Sequence, residues 1–201
     1  MQTKRIYGFG INDSKKPVSH IDKKTNKRVM CPYYARWVSM LSRCYSTEFH
    51  KRQPTYINAT VSENWRKFST FKTWMKTQDW ENKELDKDIK YPGNLCYSED
   101  TCLFIDKHVN SLLSDSKGIR GKYPQGVSYF KRDGNFKAQI KIRGVQKHIG
   151  YTATIKEAEA LYLKAKILNI ENTIAEGLEP ETVEGLLKHK EVIKHRRDML
   201  C

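Results

Sequence analysis

A chain of 201 residues, 38% of them hydrophobic, supplies one ordinary globular domain or two small ones, each with a modest core. Its 37 Lys and Arg against 23 Asp and Glu leave a formal charge of +14, more than solubility needs, and favour a polyanionic partner, nucleic acid first. No apolar run approaches the ~18 residues that span a bilayer, and residues 1–12 lack the apolar segment of a signal peptide, which excludes a membrane or secreted protein and implies a soluble, cytoplasmic one. The five cysteines are never spaced C-x-x-C, so they signal neither a disulfide framework nor a structural zinc site, and reduced thiols are expected.

Residues 1–30 hold eight Lys or Arg and two acids, with turn formers at Asn12-Asp13-Ser14 and from Lys23 to Asn26. They read as a basic arm with at most a hairpin. From Pro32 the character changes: Tyr33, Trp37, Met40, Leu41 and Cys44 recur at helical spacing and predict a helix over 33–44. A polar loop follows from Thr47 to Tyr56. Trp65, Phe68, Phe71 and Met75 predict a second helix over 63–76, with Ser62 placed to cap it and Glu63 favourable beside its dipole. The two apolar stripes are each other's simplest partners, so Trp37, Trp65, Phe68, Phe71 and Trp74 are read as core.

Two short segments, Leu85–Lys90 and Thr101–Asp106, flank the turn former Pro92-Gly93-Asn94 and predict a hairpin. Val109, Leu112 and Leu113 then share one helical face, with Asp106 a candidate N-cap, so 85–115 reads strand, loop, strand, helix. Residues 116–125 read as a linker.

After Gly126, "GVSYFKR", "NFKAQIKIR" and "VQKHIG", separated by Asp133-Gly134 and Gly144, predict a three-stranded antiparallel meander. Side chains alternate along a strand, so Phe136, Ala138, Ile140 and Ile142 point one way and Lys137, Gln139, Lys141 and Arg143 the other. The apolar side needs cover. "TIKEAEALYLKAKIL" supplies it, with a Thr154–Glu157 capping box and a stripe of Ala158, Leu161, Tyr162, Ala165 and Leu168. The side left open presents Lys137, Gln139, Lys141 and Arg143, with Ser128, Phe130 and Arg132 from the first strand and Gln146 and His148 from the third. Between 117 and 148 nine Lys or Arg face a single acid, Asp133, whereas solvated faces mix signs. Such a sheet has the width to lie in a major groove of double-stranded DNA, with basic side chains on phosphates and Arg132, Gln139 and Arg143 as candidates for base edges. From Glu179 a last helix opened by Pro180 carries Val183, Leu186, Leu187 and Ile193, which dock either on the rest of the chain or on a second copy.

The run "GVSYFKRDGNFKAQIKIRGVQKHIGYTATIKEAEALYLKAK" resembles the AP2 type of DNA-binding domain in the order and spacing of its elements. In that family the sheet reads the major groove, which the resemblance carries to Ser128, Phe130, Gln139, Lys141, Gln146 and His148. The chain departs from the plant members, which use Arg and Trp on the first and third strands. The segments "ARWVSMLSRCYSTEF", "ENWRKFSTFKTWM" and "LDKDIKYPGNLCYSEDTCLFIDKHVNSLL" are similar to phage HNH homing endonucleases, which often carry an AP2-type module downstream. That likeness implies a ββα-metal unit whose matching positions are Asp86, Lys87, Asn94 and Asn110.

The residues themselves agree in part. Asp86 and Asp88, two apart on a strand, would turn both carboxylates to one side, and with Asn110 they make hard oxygen ligands for Mg²⁺ or Mn²⁺. Where the family has its base histidine this chain has Lys87, with His108 a candidate stand-in. Cys31 and Cys44 alone cannot close a tetrahedral zinc site. The expectation is an α+β chain: a basic arm over 1–30, an HNH-like unit over 31–115, a linker, an AP2-like unit over 126–175 and a helix over 179–201. Functionally it reads as a DNA-binding, HNH-like endonuclease that cuts or nicks duplex DNA with a divalent metal. The alternative is a catalytically inactive DNA-binding protein of the same architecture.

Overall fold

The computed structural model describes residues 5–114 and 121–200, and it is mixed α+β, with six α-helices among the described residues. Two compact units make up the chain: residues up to Asp88 together with Gly93–Phe104, and Ile89–Pro92 together with everything from Ile105. The helix expected at the end of an HNH-like segment therefore belongs with the C-terminal sheet. No described helix is long and apolar enough to cross a membrane.

In the first unit a short hairpin, β1 (Ser19–Ile21) with β2 (Arg28–Met30), precedes α1 (Pro32–Tyr45) and α2 (Thr47–Arg52). Pro32 sits in the first turn of α1, where its missing N–H costs no hydrogen bond. Tyr34, Trp37, Met40, Leu41 and Cys44 line its buried face and pack on Trp65, Phe68, Phe71 and Met75. The Trp37 indole N–H donates to the Trp65 carbonyl at 2.8 Å, so this buried ring is also satisfied.

The single helix expected over 63–76 is broken. A 3-10 turn covers Glu63–Arg66, Lys67 is extended, and α3 begins at Phe68 and runs to Met75. The cause is a distant strand of chain: the Ile11 N–H donates to the Arg66 carbonyl at 2.8 Å and the Phe68 N–H to the Ile11 carbonyl at 3.0 Å. Asp13, not Ser62, caps α3, accepting from the Ser69 N–H at 2.9 Å and the Ser69 hydroxyl at 2.5 Å. The expected basic arm thus divides: residues 19–30 carry the hairpin that its turn formers allowed, and residues 6–18 are held against the core. Ile6, Phe9 and Val18 pack on it, and a side chain at Gly10 would collide with Leu41 and Trp37.

The hairpin expected around Pro92-Gly93-Asn94 is also rearranged. β4 (Glu84–Asp86) pairs with β6 (Leu103–Ile105), while β5 (Cys96–Tyr97), inside the connection, pairs in parallel with β3 (Thr60–Val61). Residues 87–90 are claimed by the loop and leave the strand.

In the second unit α4 (Lys107–Leu113) is followed by β7 (Val127–Phe130), β8 (Asn135–Ile142) and β9 (Val145–Thr152), the expected antiparallel meander. Of the expected linker, residues 116–120 lie outside the described residues, and Tyr123 packs against the Val127–Ala138 cluster. α5 (Ile155–Ile174) opens on the complete Thr154–Glu157 capping box and covers the apolar side, Ala158 meeting Val127 and Ala138, and Tyr162 and Leu163 meeting Ile140. α6 (Pro180–Asp198) docks on α5, which decides the partner left open by its sequence. That docking draws Leu163, Lys166 and Ile170 inward and leaves Leu168, expected in the apolar stripe, exposed.

Candidate nucleic-acid interface

The register of the sheet sorts its side chains. Val127 lies opposite Ala138, Ala138 opposite Gly150 and Ile142 opposite Val145 on the side turned to α5. The other side takes Ser128 opposite Lys137, Phe130 opposite Asn135, Lys137 opposite Tyr151, Gln139 opposite His148 and Lys141 opposite Gln146. Seven residues expected there, Ser128, Phe130, Lys137, Gln139, Lys141, Gln146 and His148, therefore share one face. Lys141, Gln146 and His148 are exposed, and Ser128, Phe130, Lys137 and Gln139 half-buried.

A β-bulge between Ala138 and Gln139 gives β9 one extra residue, Ile149, which packs into the core under the sheet. One inserted residue reverses the alternation beyond it. Tyr151 consequently joins the face of His148, which simple alternation from Gln146 would not allow. The rings of His148 and Tyr151 lie 4.6 Å apart and those of Phe130 and Tyr151 5.3 Å apart, a small aromatic platform beside Lys137. Continuing the strand past Gly150 would by alternation alone have placed Tyr151 on the covered side, so its place on the open face follows from the bulge.

Two expected arginines are elsewhere. Arg143 does not lie on β8. It is the first central residue of the two-residue turn with Gly144, both in the left-handed region (φ 49° and 84°), as the twist of a tight hairpin requires. Its guanidinium is ion-paired with Glu176. β7 ends at Phe130, so Arg132 falls in the next turn, where it holds Asp133 at 2.8 Å and covers the Phe130 ring at 5.3 Å.

The second candidate region is the loop after β4. Asp86 ends the strand and Asp88 lies beyond it, so the two do not share a strand face. The Asp88 N–H donates to Asp86 Oδ1 at 2.7 Å. Lys87 is 8% exposed, and its ammonium is ion-paired with Asp88, donates to the Asn94 carbonyl at 2.8 Å and lies 5.9 Å from the rings of Tyr56 and Tyr97. Asn94 clasps the loop: its Nδ2 donates to the Lys87 and Cys96 carbonyls at 2.8 and 2.7 Å, and its Oδ1 accepts from the Cys96 N–H at 3.3 Å. His108 and Asn110 belong to the other unit, on α4. There the His108 Nε2 approaches Glu176 at 3.8 Å, and the Asn110 N–H donates to the Asp106 carbonyl at 3.0 Å.

These residues fit a divalent cation poorly. An ammonium already sits on Asp88, one of the two carboxylates meant for the metal, and Lys87 makes its contacts as a proton donor where a base would accept. No group of three or more His, Cys, Asp or Glu is placed to hold a metal among the described residues. Burial pushes the Cys44 and Cys102 thiols up to about 12, so both are held protonated at neutral pH. Comparison with known proteins found no family model, no curated protein and no solved structure that matches the chain.

Proposed function

We propose that this chain binds double-stranded DNA through the open face of β7, β8 and β9. One observation carries the reading: that face sets Lys137 and Lys141 among Ser128, Gln139, Gln146 and His148 and, among its described residues, holds no acid. Cations supply contacts to phosphate, and carboxamides and imidazole offer donors and acceptors to base edges. Three strands about 4.8 Å apart present a ribbon about 10 Å across, which a major groove about 12 Å wide admits. The formal charge of +14 adds a long-range attraction for the polyanion. The test is titration of a labelled duplex at several salt concentrations. Lys137→Ala with Lys141→Ala is expected to weaken binding about tenfold and to flatten the slope of log affinity against log salt by about 2. An unchanged slope would place the DNA elsewhere.

The strand–loop–strand–helix order from Glu84 to Leu113, with Asn94 clasping the loop, favours a second reading as an HNH-like endonuclease using Mg²⁺ or Mn²⁺. No hydrolytic step follows from this loop, because Lys87 is ion-paired with Asp88 and donates hydrogen bonds where a base would accept one. DNA binding without cleavage is the conclusion. Supercoiled plasmid incubated with the protein and Mg²⁺ or Mn²⁺ is expected to stay supercoiled. Relaxation by the parent protein that is lost in Asp86→Ala would restore the nuclease.

A further inference from the structure

β8 is twice as long as β7, and their pairing runs only from Phe130↔Asn135 to Val127↔Ala138. Beyond Ala138 the first strand has turned away. Gly126 makes that turn with φ +77°, accepting the Gln139 N–H at 2.8 Å, and a side chain there would strike the Tyr162 ring. Beside this half of β8 lies a cavity of about 340 Å³, walled by the end of α4, by β8 and β9, and by α5.

The chemistry of its wall is one-sided. Lys141 and Lys166 bring two ammonium groups, Gln139, Gln146 and Asn169 bring carboxamides, and no Asp or Glu lines it among the described residues. Lys166 is 7% exposed, and among its contacts is a hydrogen bond from Nζ to Gln125 Oε1 at 3.3 Å. Tyr162 and Ile140 give the same cavity an apolar and aromatic wall. The volume lies at the small end of the range of about 300–1,000 Å³ for small-molecule sites, far more than one phosphate fills. Carboxamides offer the paired donor and acceptor that a base edge matches.

We propose that this cavity binds one unpaired nucleotide, its phosphate toward Lys141 and Lys166 and its base among the carboxamides against Tyr162. The ligand is a nucleoside monophosphate unit, either free or as an unpaired residue of a strand. This goes beyond the duplex reading: the cavity shares Gln139, Lys141 and Gln146 with the open face, but Ser111, Tyr162, Lys166 and Asn169 line only the cavity, and Lys137, Phe130 and Tyr151 are not among its lining residues.

The test uses the full chain and calorimetric titration with the four nucleoside 5′-monophosphates, the matching nucleosides, inorganic phosphate, a short single-stranded oligonucleotide and a hairpin-closed duplex. At least one monophosphate is expected to bind tenfold or more tighter than its nucleoside and than phosphate. Ser111→Trp, from an exposed position on α4, plugs the cavity, and Asn169→Leu removes a carboxamide at nearly constant volume. Each is expected to weaken the monophosphate at least tenfold while duplex binding and its salt slope stay as in the parent. Lys137→Ala is expected to do the reverse, so failure of the sheet and failure of the cavity are separable. If only the single strand binds and both cavity variants weaken it, the nucleotide is taken from a strand; if only the monophosphate responds, it is taken free. Phosphate binding as tightly as every nucleotide, or nucleotide and single-strand binding untouched by Ser111→Trp in a protein with parental thermal melting, would overturn the proposal.

Discussion

The loop after β4 and the open face of the β7–β9 sheet are both rich in polar and charged residues, yet they spend them in opposite directions. In the loop Lys87 turns inward onto Asp88 and the Asn94 carbonyl, and Asn94 turns inward onto two carbonyls and an N–H. On the sheet Lys141, Gln146 and His148 turn outward to solvent. Polar groups that satisfy one another inside a loop stabilise it and cannot meet a ligand without losing those bonds. Polar groups held outward by a covered sheet lose only water on meeting one. The same contrast separates arginines within the second unit: Arg132 and Arg143 are tied to acids in turns, while the lysines of β8 stand on the strand itself.

The contrast is open to breaking, most severely in the loop. Asn94→Ala takes the side-chain donor from the Lys87 carbonyl and the acceptor from the Cys96 N–H, while the Cys96 carbonyl keeps the Thr101 hydroxyl, and it is expected to cost about 2–3 kcal/mol in urea denaturation, with duplex affinity per folded molecule unchanged. A large loss of DNA affinity at parental stability would make the loop a binding site. Asp13→Ala removes the remote cap of α3 and is expected to cost about 1 kcal/mol. Partial burial pushes the Asp13 carboxyl up, but the Ser69 hydroxyl and N–H, aided by Lys67, outweigh it and hold the group below its usual value of 3.8. A lowered value in the folded state means that the contribution is present above the ordinary carboxylate range and is lost as pH falls. The stability difference between parent and Asp13→Ala should therefore be full above about pH 5 and shrink on acidification. The smallest effect belongs to Arg132→Ala and Arg143→Ala, each expected to change duplex affinity by about twofold or less, since exposed ion pairs already engage both groups. A tenfold loss from either would return that turn to the binding surface.

Much of the fold was legible where its cause is local. The spacing of Trp37, Leu41 and Cys44, the Thr154–Glu157 box, and Asp133-Gly134 with Gly144 between alternating runs each specify an element from a few neighbouring residues. Seven of the nine sheet residues expected on the open face lie there for the same reason: alternation with period two needs no knowledge of the rest of the chain. What escaped was set at a distance. The break at Lys67 comes from Ile11, the exposure of Leu168 from the docking of α6, and the inward turn of Lys87 from Asp88, Asn94 and two tyrosines gathered around it. Tyr151 reached the open face through a bulge whose one extra residue no turn former announces.

Taken alone, the amino-acid order determined the excess of positive charge, the meander with its basic side and the helix that covers its apolar side, because periodicity, capping and turn chemistry act between residues a few places apart. Only the tertiary structure decided which cations stay available and which are bound, where β8 runs on past the end of β7 to border a cavity, and which surface α6 covers. Those outcomes depend on partners far away in the chain, and a side chain's charge is spent on whichever partner the fold brings within reach.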